Sequence, residues 1–360
     1  MKVIMTGGGT GGHIYPAVAI ADEIKRREPD AKIIFVGTER GMEKDIIPKA
    51  GYEIRFITVS GLNRRNLLKN IKTLSDLKKG LHEAKEIINE FKPDIVIGTG
   101  GYVCGPVMKT AADMGIKTYI HEQNAFPGLT NKLLSRSAER VFVAFDDAAG
   151  YFKTKKKPVT VGNPVRKAFA EMDRKAARDS LGIADDEFMV LSFGGSLGAQ
   201  RINDEMAIVA EKLRERTGLR IFFATGKRYY KSIIQNADKN NGRVTYLEYI
   251  DDMPKYLNAC DLAITRSGAL TVSEITACGR ASVMIPSPYV TNNHQYYNAK
   301  VVADRGGSVL IEEKDLTEGE LVTVIETLMS DAEGIKKMER AAAALGTVDA
   351  AGTICDIIGI

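Results

Sequence analysis

Short, almost wholly apolar runs alternate with longer stretches of helical periodicity along the 360 residues, and partway through the alternation starts again. In the first half the runs are KVIM, KIIFVG, IRFITV, DIVIG, KTYIH, RVFVAF and VTVG; in the second they are FMVLSF, RIFFAT, RVTYLE, LAIT, SVMIP and SVLIE. Most are continuous rather than alternately apolar and polar. Such a strand has both faces covered, the situation of a parallel strand between layers of helices. Strand–helix alternation on this scale builds doubly wound sheets. A charged interruption at residues 153–158 (KTKKKP) and the turn signal Gly162-Asn163-Pro164 divide the chain. Each half then opens the same way, on a strand and a glycine loop: KVIM with GGGTGGH, FMVLSF with GGSLGA. The expectation is α/β: two Rossmann-like doubly wound domains facing across a cleft lined by the carboxyl ends of both sheets.

Composition narrows the function. The formal net charge is only +4, and no long Lys/Arg run interleaves with aromatics, which argues against a nucleic-acid partner. Cys104, Cys260, Cys278 and Cys355 form no CxxC pair and match no zinc spacing, so buried thiols in a reducing compartment are expected. Met1 to Met5 is strand-length and runs straight into glycine, unlike a signal peptide. No apolar stretch approaches the ~20 residues that span a bilayer. A cytoplasmic protein is expected.

Three glycine loops follow strands: GGGTGGH (7–13), GTGGYVCGP (98–106) and GGSLGA (194–199). Glycine allows close backbone approach, and a following helix start offers free N–H groups to an anion. Any one of them could equally be a tight βα turn. The first contains a nominal GxGxxG, the dinucleotide fingerprint. The acidic residue that should close the second strand is missing: KIIFVG ends in Gly37-Thr38, with Glu39 just beyond. No GxxxxGK[ST] occurs, which excludes a P-loop NTPase. In ITRSGALTVSE (264–274) a strand turns through Ser267-Gly268 into a helix that carries Glu274 one turn in. That carboxylate is placed either to accept sugar hydroxyls or simply to favour the helix dipole.

Read together and in order, GGGTGGHIYPAVAIA, SGL, PDIVIGTGGYVCGP, HEQNAFPGLTNK, VGNPVR, GGSLGAQRIN, YIDDM, RSGALTVSEI and QYYNA closely resemble MurG-type N-acetylglucosaminyltransferases, a family of B-fold glycosyltransferases. The resemblance covers residues 1 to about 330. It implies inverting transfer of N-acetylglucosamine from UDP to the C4 hydroxyl of undecaprenyl-diphosphate-linked N-acetylmuramoyl-pentapeptide (lipid I), giving lipid II for peptidoglycan. It implies a peripheral protein on the cytoplasmic face of the cell membrane, working beside other cell-wall proteins. The implied domains are an acceptor and membrane-facing domain (1–163), a UDP-sugar domain (164–340) and a final helix (341–360) returning to the first domain. Carried over by motif, Thr10, Gly11, Gly12 and Asn124 lie where donor and acceptor meet. Arg166 and Ser196 meet the UDP diphosphate, and Ile250 binds the uracil edge through its backbone. Ala269, Leu270, Thr271, Val272, Ser273 and Glu274 wrap phosphate and sugars, with Glu274 on the ribose, and Gln295 contacts the transferred sugar. Gly9, Gly100, Gly101 and Tyr102 are the loop residues offered to the acceptor diphosphate.

An inverting displacement needs a base for the acceptor hydroxyl and stabilisation of departing UDP. His13 is the first choice of base, since imidazole titrates near neutrality, and Glu122 is the second. Alternatively, His13 orients the loop or caps the helix. Helix starts and Arg166 can stabilise UDP. Asp251-Asp252 reads as a helix cap rather than a metal pair, so no bound metal or other cofactor is expected, with dissolved magnesium at most an assistant. Residues 61–80 hold six basic residues (Arg64, Arg65, Lys69, Lys72, Lys78, Lys79) against Asp76, a net of +5. With Leu67, Leu68, Ile71 and Leu74, the segment reads as a basic amphipathic helix for an anionic membrane surface, or as a domain helix with its leucines turned inward. The competing functions are a UDP-N-acetylglucosamine 2-epimerase-like enzyme, an NAD-dependent oxidoreductase, and a non-catalytic sugar-nucleotide or membrane-recruiting subunit.

Overall fold

The computed structural model describes residues 1–61, 70–195, 197–236 and 242–360. The chain forms two compact units, residues 1–164 with 349–360, and residues 165–348.

The first unit runs β1 (Lys2–Gly7), α1 (Gly11–Arg27), β2 (Lys32–Gly37), α2 (Glu43–Lys49), β3 (Glu53–Phe56), α3 (Asn70–Phe91), β4 (Ile95–Gly100), α4 (Cys104–Asp113), β5 (Lys117–Glu122), α5 (Leu129–Leu134), β6 (Arg140–Val143) and β7 (Val159–Thr160). The strands pair in the order β3-β2-β1-β4-β5-β6-β7, all parallel. Alternate residues of β1 point to opposite faces. Val3 and Met5 meet the α1 side, where Ile14, Ala17, Ile20, Ala21 and Ile24 form a helical stripe without accessible surface. Ile4 meets the other side, with Ala84 and Ile88 of α3 and Val107 of α4. Both faces of the sheet are therefore dry, which is why its strands read as continuous apolar runs.

The second unit runs α6 (Ala168–Glu171), α7 (Arg174–Ser180), β8 (Phe188–Phe193), α8 (Gln200–Lys212), β9 (Leu219–Ala224), α9 (Tyr230–Asn236), β10 (Val244–Leu247), α10 (Met253–Ala259), β11 (Leu262–Thr265), α11 (Ala269–Cys278), β12 (Ala281–Met284), α12 (His294–Asp304), β13 (Ser308–Leu310), α13 (Glu320–Ser330) and α14 (Ala332–Ala343). Its sheet order is β10-β9-β8-β11-β12-β13, again parallel throughout. Val190, Ile221, Phe223, Ile264 and Val283 from the strands pack with Ile202, Met206 and Val209 of α8 and Leu321 and Ile325 of α13.

The last helix, α15 (Ala350–Ile358), belongs to the first unit. The segment that leaves the second unit begins at Asp349 rather than at residue 341. The reason is α14: Ala342 is fully buried, with its backbone where only a glycine, Gly307, leaves room. Ile354 and Cys355 of α15 are fully buried with the α1 stripe. Arg27 ties the two helices, donating to Asp356 Oδ1 (2.5 Å), the carbonyl of Gly352 (3.1 Å) and Ile360 (2.8 Å). All four cysteines are free and buried.

Within α3 the inward face is Thr73, Gly80, Ala84 and Ile88. Leu74 and Leu77 are 60% and 38% exposed, so these leucines turn outward rather than into the domain. Ile71 and Lys72 fall in the first turn of α3, whereas Arg64, Arg65, Leu67, Leu68 and Lys69 lie outside the described residues. Among the described residues, no helix is long and apolar enough to cross a membrane.

Docking of α15 through Ile354 gives a direct test. Ile354→Ala is expected to lower the unfolding free energy by about 2–4 kcal/mol in urea titrations, the usual loss for a buried isoleucine. Ile357→Ala, at a position 37% exposed, should cost under about 1 kcal/mol.

Candidate functional site

In the first unit β1 and β4 are the neighbours at which strand order reverses, the place where open α/β sheets leave a ligand crevice. Here the loops after the two strands grip each other. Gly8 N donates to the Gly100 carbonyl at 3.2 Å. A Cβ on Gly101, whose φ is +86°, would stand 2.4 Å from Gly8 O. Thr99 Oγ1 donates to the His13 carbonyl at 2.7 Å. Cys104 Sγ lies 3.2 Å from Gly100 N and 3.1 Å from Thr6 O, and its burial pushes the thiol up to about 11. These glycines and this cysteine hold protein to protein.

Glu43, which is 1% exposed, completes the clamp. Its Oε2 accepts from Gly9 N (3.0 Å), and its Oε1 accepts from Thr38 N (3.0 Å) and Thr38 Oγ1 (2.8 Å). An acidic residue does stand downstream of the second strand, but it is spent on the loop. An anion brought to the Gly9 N–H would meet this carboxylate first. Thr10 occupies the N-cap of α1 without a side-chain cap bond, and Gly11 and Gly12 form the first turn. Tyr102, 36% exposed, lies beside Gly9.

His13 sits half-buried in that first turn, its Nδ1 2.9 Å from Gln123 Oε1. Glu122 is built differently. Its Oε1 accepts from Asn124 N (3.0 Å) and Asn124 Nδ2 (3.2 Å), and its Oε2 from Gly128 N (3.1 Å) and Asn131 Nδ2 (2.8 Å). With 1% exposure and four amide donors, this carboxylate staples the loop that follows β5 and presents no open lone pair to a hydroxyl. Of the two candidate bases, the geometry supports His13.

The second unit uses the same device at a different place. A Cβ on Gly198 (φ +79°) would lie 2.1 Å from Thr225 O, and one on Gly226 2.3 Å from Gly198 N. The lock thus joins the loops after β8 and β9 and leaves the β8–β11 reversal point open. A cavity of about 670 Å³ lies there, lined by Gly194 and Gly198 on one side, Arg266, Gly268 and Thr271 on the other, and Gln295. Gln295 Oε1 accepts from Ser287 N at 2.8 Å, which leaves its –NH2 end to donate into the cavity. Ser267 Oγ donates to the Gln295 carbonyl (2.8 Å), and Asn298 Nδ2 to the Ser267 carbonyl (3.2 Å). Arg266 donates to the carbonyls of Ile285 (3.0 Å) and Pro286 (3.1 Å) and pairs with Glu313.

Ala269, Val272 and Ser273 face inward on α11; Leu270, Thr271 and Glu274 keep accessible surface. A helix shows a ligand one face, so the contiguous run 269–274 divides into side chains that pack and side chains that can bind. Burial pushes the Glu274 carboxyl up to about 7, against the pull of the Arg166 guanidinium. Arg166 is exposed, 5.2 Å above the Phe169 ring, and Ile250 is 5% exposed. Asp252 stands at the N-cap of α10 without a side-chain cap bond, its carboxylate 4.0 Å from Lys255 Nζ. Ser196 lies outside the described residues. Sequence reasoning passed over Glu43, Gln123 and Arg266. Gln123 and Arg266 adjoin residues that were singled out; Glu43 carried no signal, since only the fold brings it to Gly9.

Residues 3–143 match the glycosyltransferase family 28 N-terminal domain, and residues 189–354 the glycosyltransferase family 28 C-terminal domain. The chain is 46% identical over 356 residues to the UDP-N-acetylglucosamine–N-acetylmuramyl-(pentapeptide) pyrophosphoryl-undecaprenol N-acetylglucosamine transferase of Alkaliphilus oremlandii, covering 98% of this chain and 97% of the relative. It is 45% identical over 359 residues to the protein of the same description from Acetivibrio thermocellus, covering 99% and 97%. The solved structure of Acinetobacter baumannii MurG superposes with a TM-score of 0.83 at 30% identity, over 99% of each chain. UDP-GlcNAc 2-epimerase from Neisseria meningitidis, bound to UDP-GlcNAc, shares the fold, with a TM-score of 0.68 at 14% identity over 99% of each chain.

Glu274 makes the site's electrostatics measurable. Its carboxyl titrates near 4.5 in the unfolded chain and near 7 in the fold, so between those values the folded state holds the extra proton. The stability this contributes is complete below about pH 4.5 and is lost as pH rises through 7. Glu274→Gln is therefore expected to stabilise the protein by about 1–3 kcal/mol at pH 8, with the gain vanishing towards pH 5, measured by urea unfolding at each pH.

Proposed function

The chain belongs to glycosyltransferase family 28, and on that premise we propose that it transfers N-acetylglucosamine from UDP-N-acetylglucosamine to the C4 hydroxyl of lipid I, forming lipid II with inversion at the anomeric carbon. The observation that carries this reading is the 46% identity running through both units and nearly the whole length of a relative so described. The 2-epimerase shares only the fold at 14% identity, and the dinucleotide reading loses its acidic partner to Gly9.

In the proposed reaction the C4 oxygen of the acceptor attacks the anomeric carbon as the bond to the diphosphate breaks. Its proton passes to His13, and the bonding electron pair leaves with UDP. The second unit holds the nucleotide sugar in the β8–β11 cavity. The N–H groups of the loop after β8 and of the start of α8 face the diphosphate, joined by Arg166 and Ser196. Glu274 accepts from the ribose hydroxyls, Ile250 offers its backbone to the uracil, and the Gln295 amide donates to the transferred sugar. Thr10, Gly11, Gly12 and Asn124 border the reacting hydroxyl, and the loops carrying Gly100, Gly101 and Tyr102 face the acceptor diphosphate.

The acceptor's lipid tail requires a bilayer, and we assign its docking to residues 61–80 on the cytoplasmic face. The outward-turned Leu74 and Leu77 support an interfacial helix start, with Arg64, Arg65, Lys69 and Lys72 for anionic headgroups.

Purified protein given labelled UDP-N-acetylglucosamine should release UDP only when a lipid I analogue is present, and the label should move to the lipid. Acceptor-independent UDP release would overturn the assignment. His13→Ala should lower kcat by about 10²–10⁴ while the donor KM changes little. Charge reversal at Arg64, Arg65 and Lys69 should weaken sedimentation with anionic liposomes, more so at low salt. Unchanged binding would reject that patch.

A further inference from the structure

Behind His13 runs an unbroken chain of hydrogen bonds that ends on a backbone carbonyl. His121 Nε2 lies 2.9 Å from the Gly162 carbonyl oxygen. Gln123 Nε2 lies 3.0 Å from His121 Nδ1 and 3.1 Å from the His121 carbonyl oxygen. Gln123 Oε1 lies 2.9 Å from His13 Nδ1. Asn163 Nδ2 donates to the Gln123 carbonyl at 3.1 Å and fixes that backbone.

Two of these partners have only one possible role, because a carbonyl oxygen accepts and never donates. Gly162 O therefore requires a proton on His121 Nε2. His121 has no accessible surface, and burial holds its pKa below the ordinary histidine value, so it carries that one proton and its Nδ1 is a lone pair. The His121 carbonyl and this lone pair both call for a donor at the same point, which fixes the –NH2 end of the Gln123 amide there. Turning the amide over would set oxygen against oxygen and oxygen against a lone pair. The amide oxygen must then face His13, and an oxygen there accepts. His13 is left with a proton on Nδ1, so the ring nitrogen that is bare in its neutral form is Nε2.

We infer that His121 and Gln123 are positioning residues that hold His13 in the Nδ1–H tautomer, so that a lone pair on Nε2 meets the acceptor hydroxyl. Alone in water an imidazole favours the opposite tautomer, with the proton on Nε2, which could not take a proton from a hydroxyl. The chain also gives the incoming charge a resting place. When His13 gains a proton at Nε2, its Nδ1–H bond to Gln123 Oε1 strengthens, and the polarised amide passes the effect to His121 without any further proton moving. The inference rests on His13 being the base, but the tautomer itself can be observed without catalysis.

The test is a two-bond ¹H–¹⁵N spectrum of the full chain labelled at histidine, simple to read because there are four histidines. His13 signals are assigned by their loss in His13→Ala, and those of His82 and His294 by their loss in His82→Ala and His294→Ala, which leaves His121. The expected result is opposite tautomers, Nδ1–H at His13 and Nε2–H at His121. The same tautomer at both, or a mixture at His13, overturns the inference. Gln123→Met keeps the bulk and removes all three side-chain hydrogen bonds. It should shift His13 towards Nε2–H and lower kcat about 10- to 100-fold, within the range a general base contributes, while the donor KM stays within about twofold. If His13→Ala abolishes turnover and Gln123→Met leaves kcat intact, the positioning role is wrong while the base stands. If His13→Ala keeps turnover, the base reading fails, and the wild-type spectrum still decides the tautomer.

Discussion

Loop-to-loop contact at distances only glycine permits is the constraint on which the rest of this structure depends. In the first unit a side chain at Gly101 would collide with the Gly8 carbonyl, and in the second, side chains at Gly198 and Gly226 would collide with the facing backbone. The two locks are not equivalent. The first joins the loops after β1 and β4, bridging the reversal point of its sheet. The second joins the loops after β8 and β9, one strand to the side, and so keeps the reversal point between β8 and β11 open as a cavity. The same residue type thus bridges one reversal point and leaves the other unbridged.

The bridged loops have their own use. With Gly9 held by Glu43 and the His13 carbonyl held by Thr99, the first turn of α1 is fixed at both ends. His13 is then presented from a braced helix start, and Gln123 reaches it from just beyond β5, with β4 lying between β5 and β1. Two buried carboxylates, Glu43 and Glu122, sit on either side of this arrangement. Glu122 accepts from four amide N–H groups and Glu43 from two backbone N–H groups and a hydroxyl, which makes them braces. Glu274 in the second unit is the contrast. Its burial raises its titration, with the Arg166 guanidinium pulling the other way.

Much of this was legible in the chain itself. Every apolar run singled out in the sequence carries a strand, because a strand covered on both faces has no polar position to disguise it. The glycine loops, the RSGALTVSE helix start and the HEQN segment announced where chemistry gathers. The leucines of residues 61–80 were less legible: helical spacing shows that Leu74 and Leu77 share a face with their neighbours, but not which way that face turns. The structure turns it outward because Thr73, Gly80, Ala84 and Ile88 already supply the face that meets the sheet. Likewise the return of the chain begins at Asp349, since Ala342 is packed too tightly against Gly307 for α14 to leave the second unit.

The sequence by itself determined the layers, the parallel strands, the division into two units and the family, because each of these is written in local periodicity or in contiguous motifs. Only the tertiary structure decided which glycines pack against facing backbone. It separated His13 from Glu122, and it drew Glu43 and the Gly162 carbonyl into the site from positions with no motif. The physical reason is that a hydrogen bond's meaning depends on its partner. His13 and Glu122 are both plausible bases as letters; one meets Gln123 through Nδ1 and the other is surrounded by four donors, and that accounting closes only when distant strands are laid side by side.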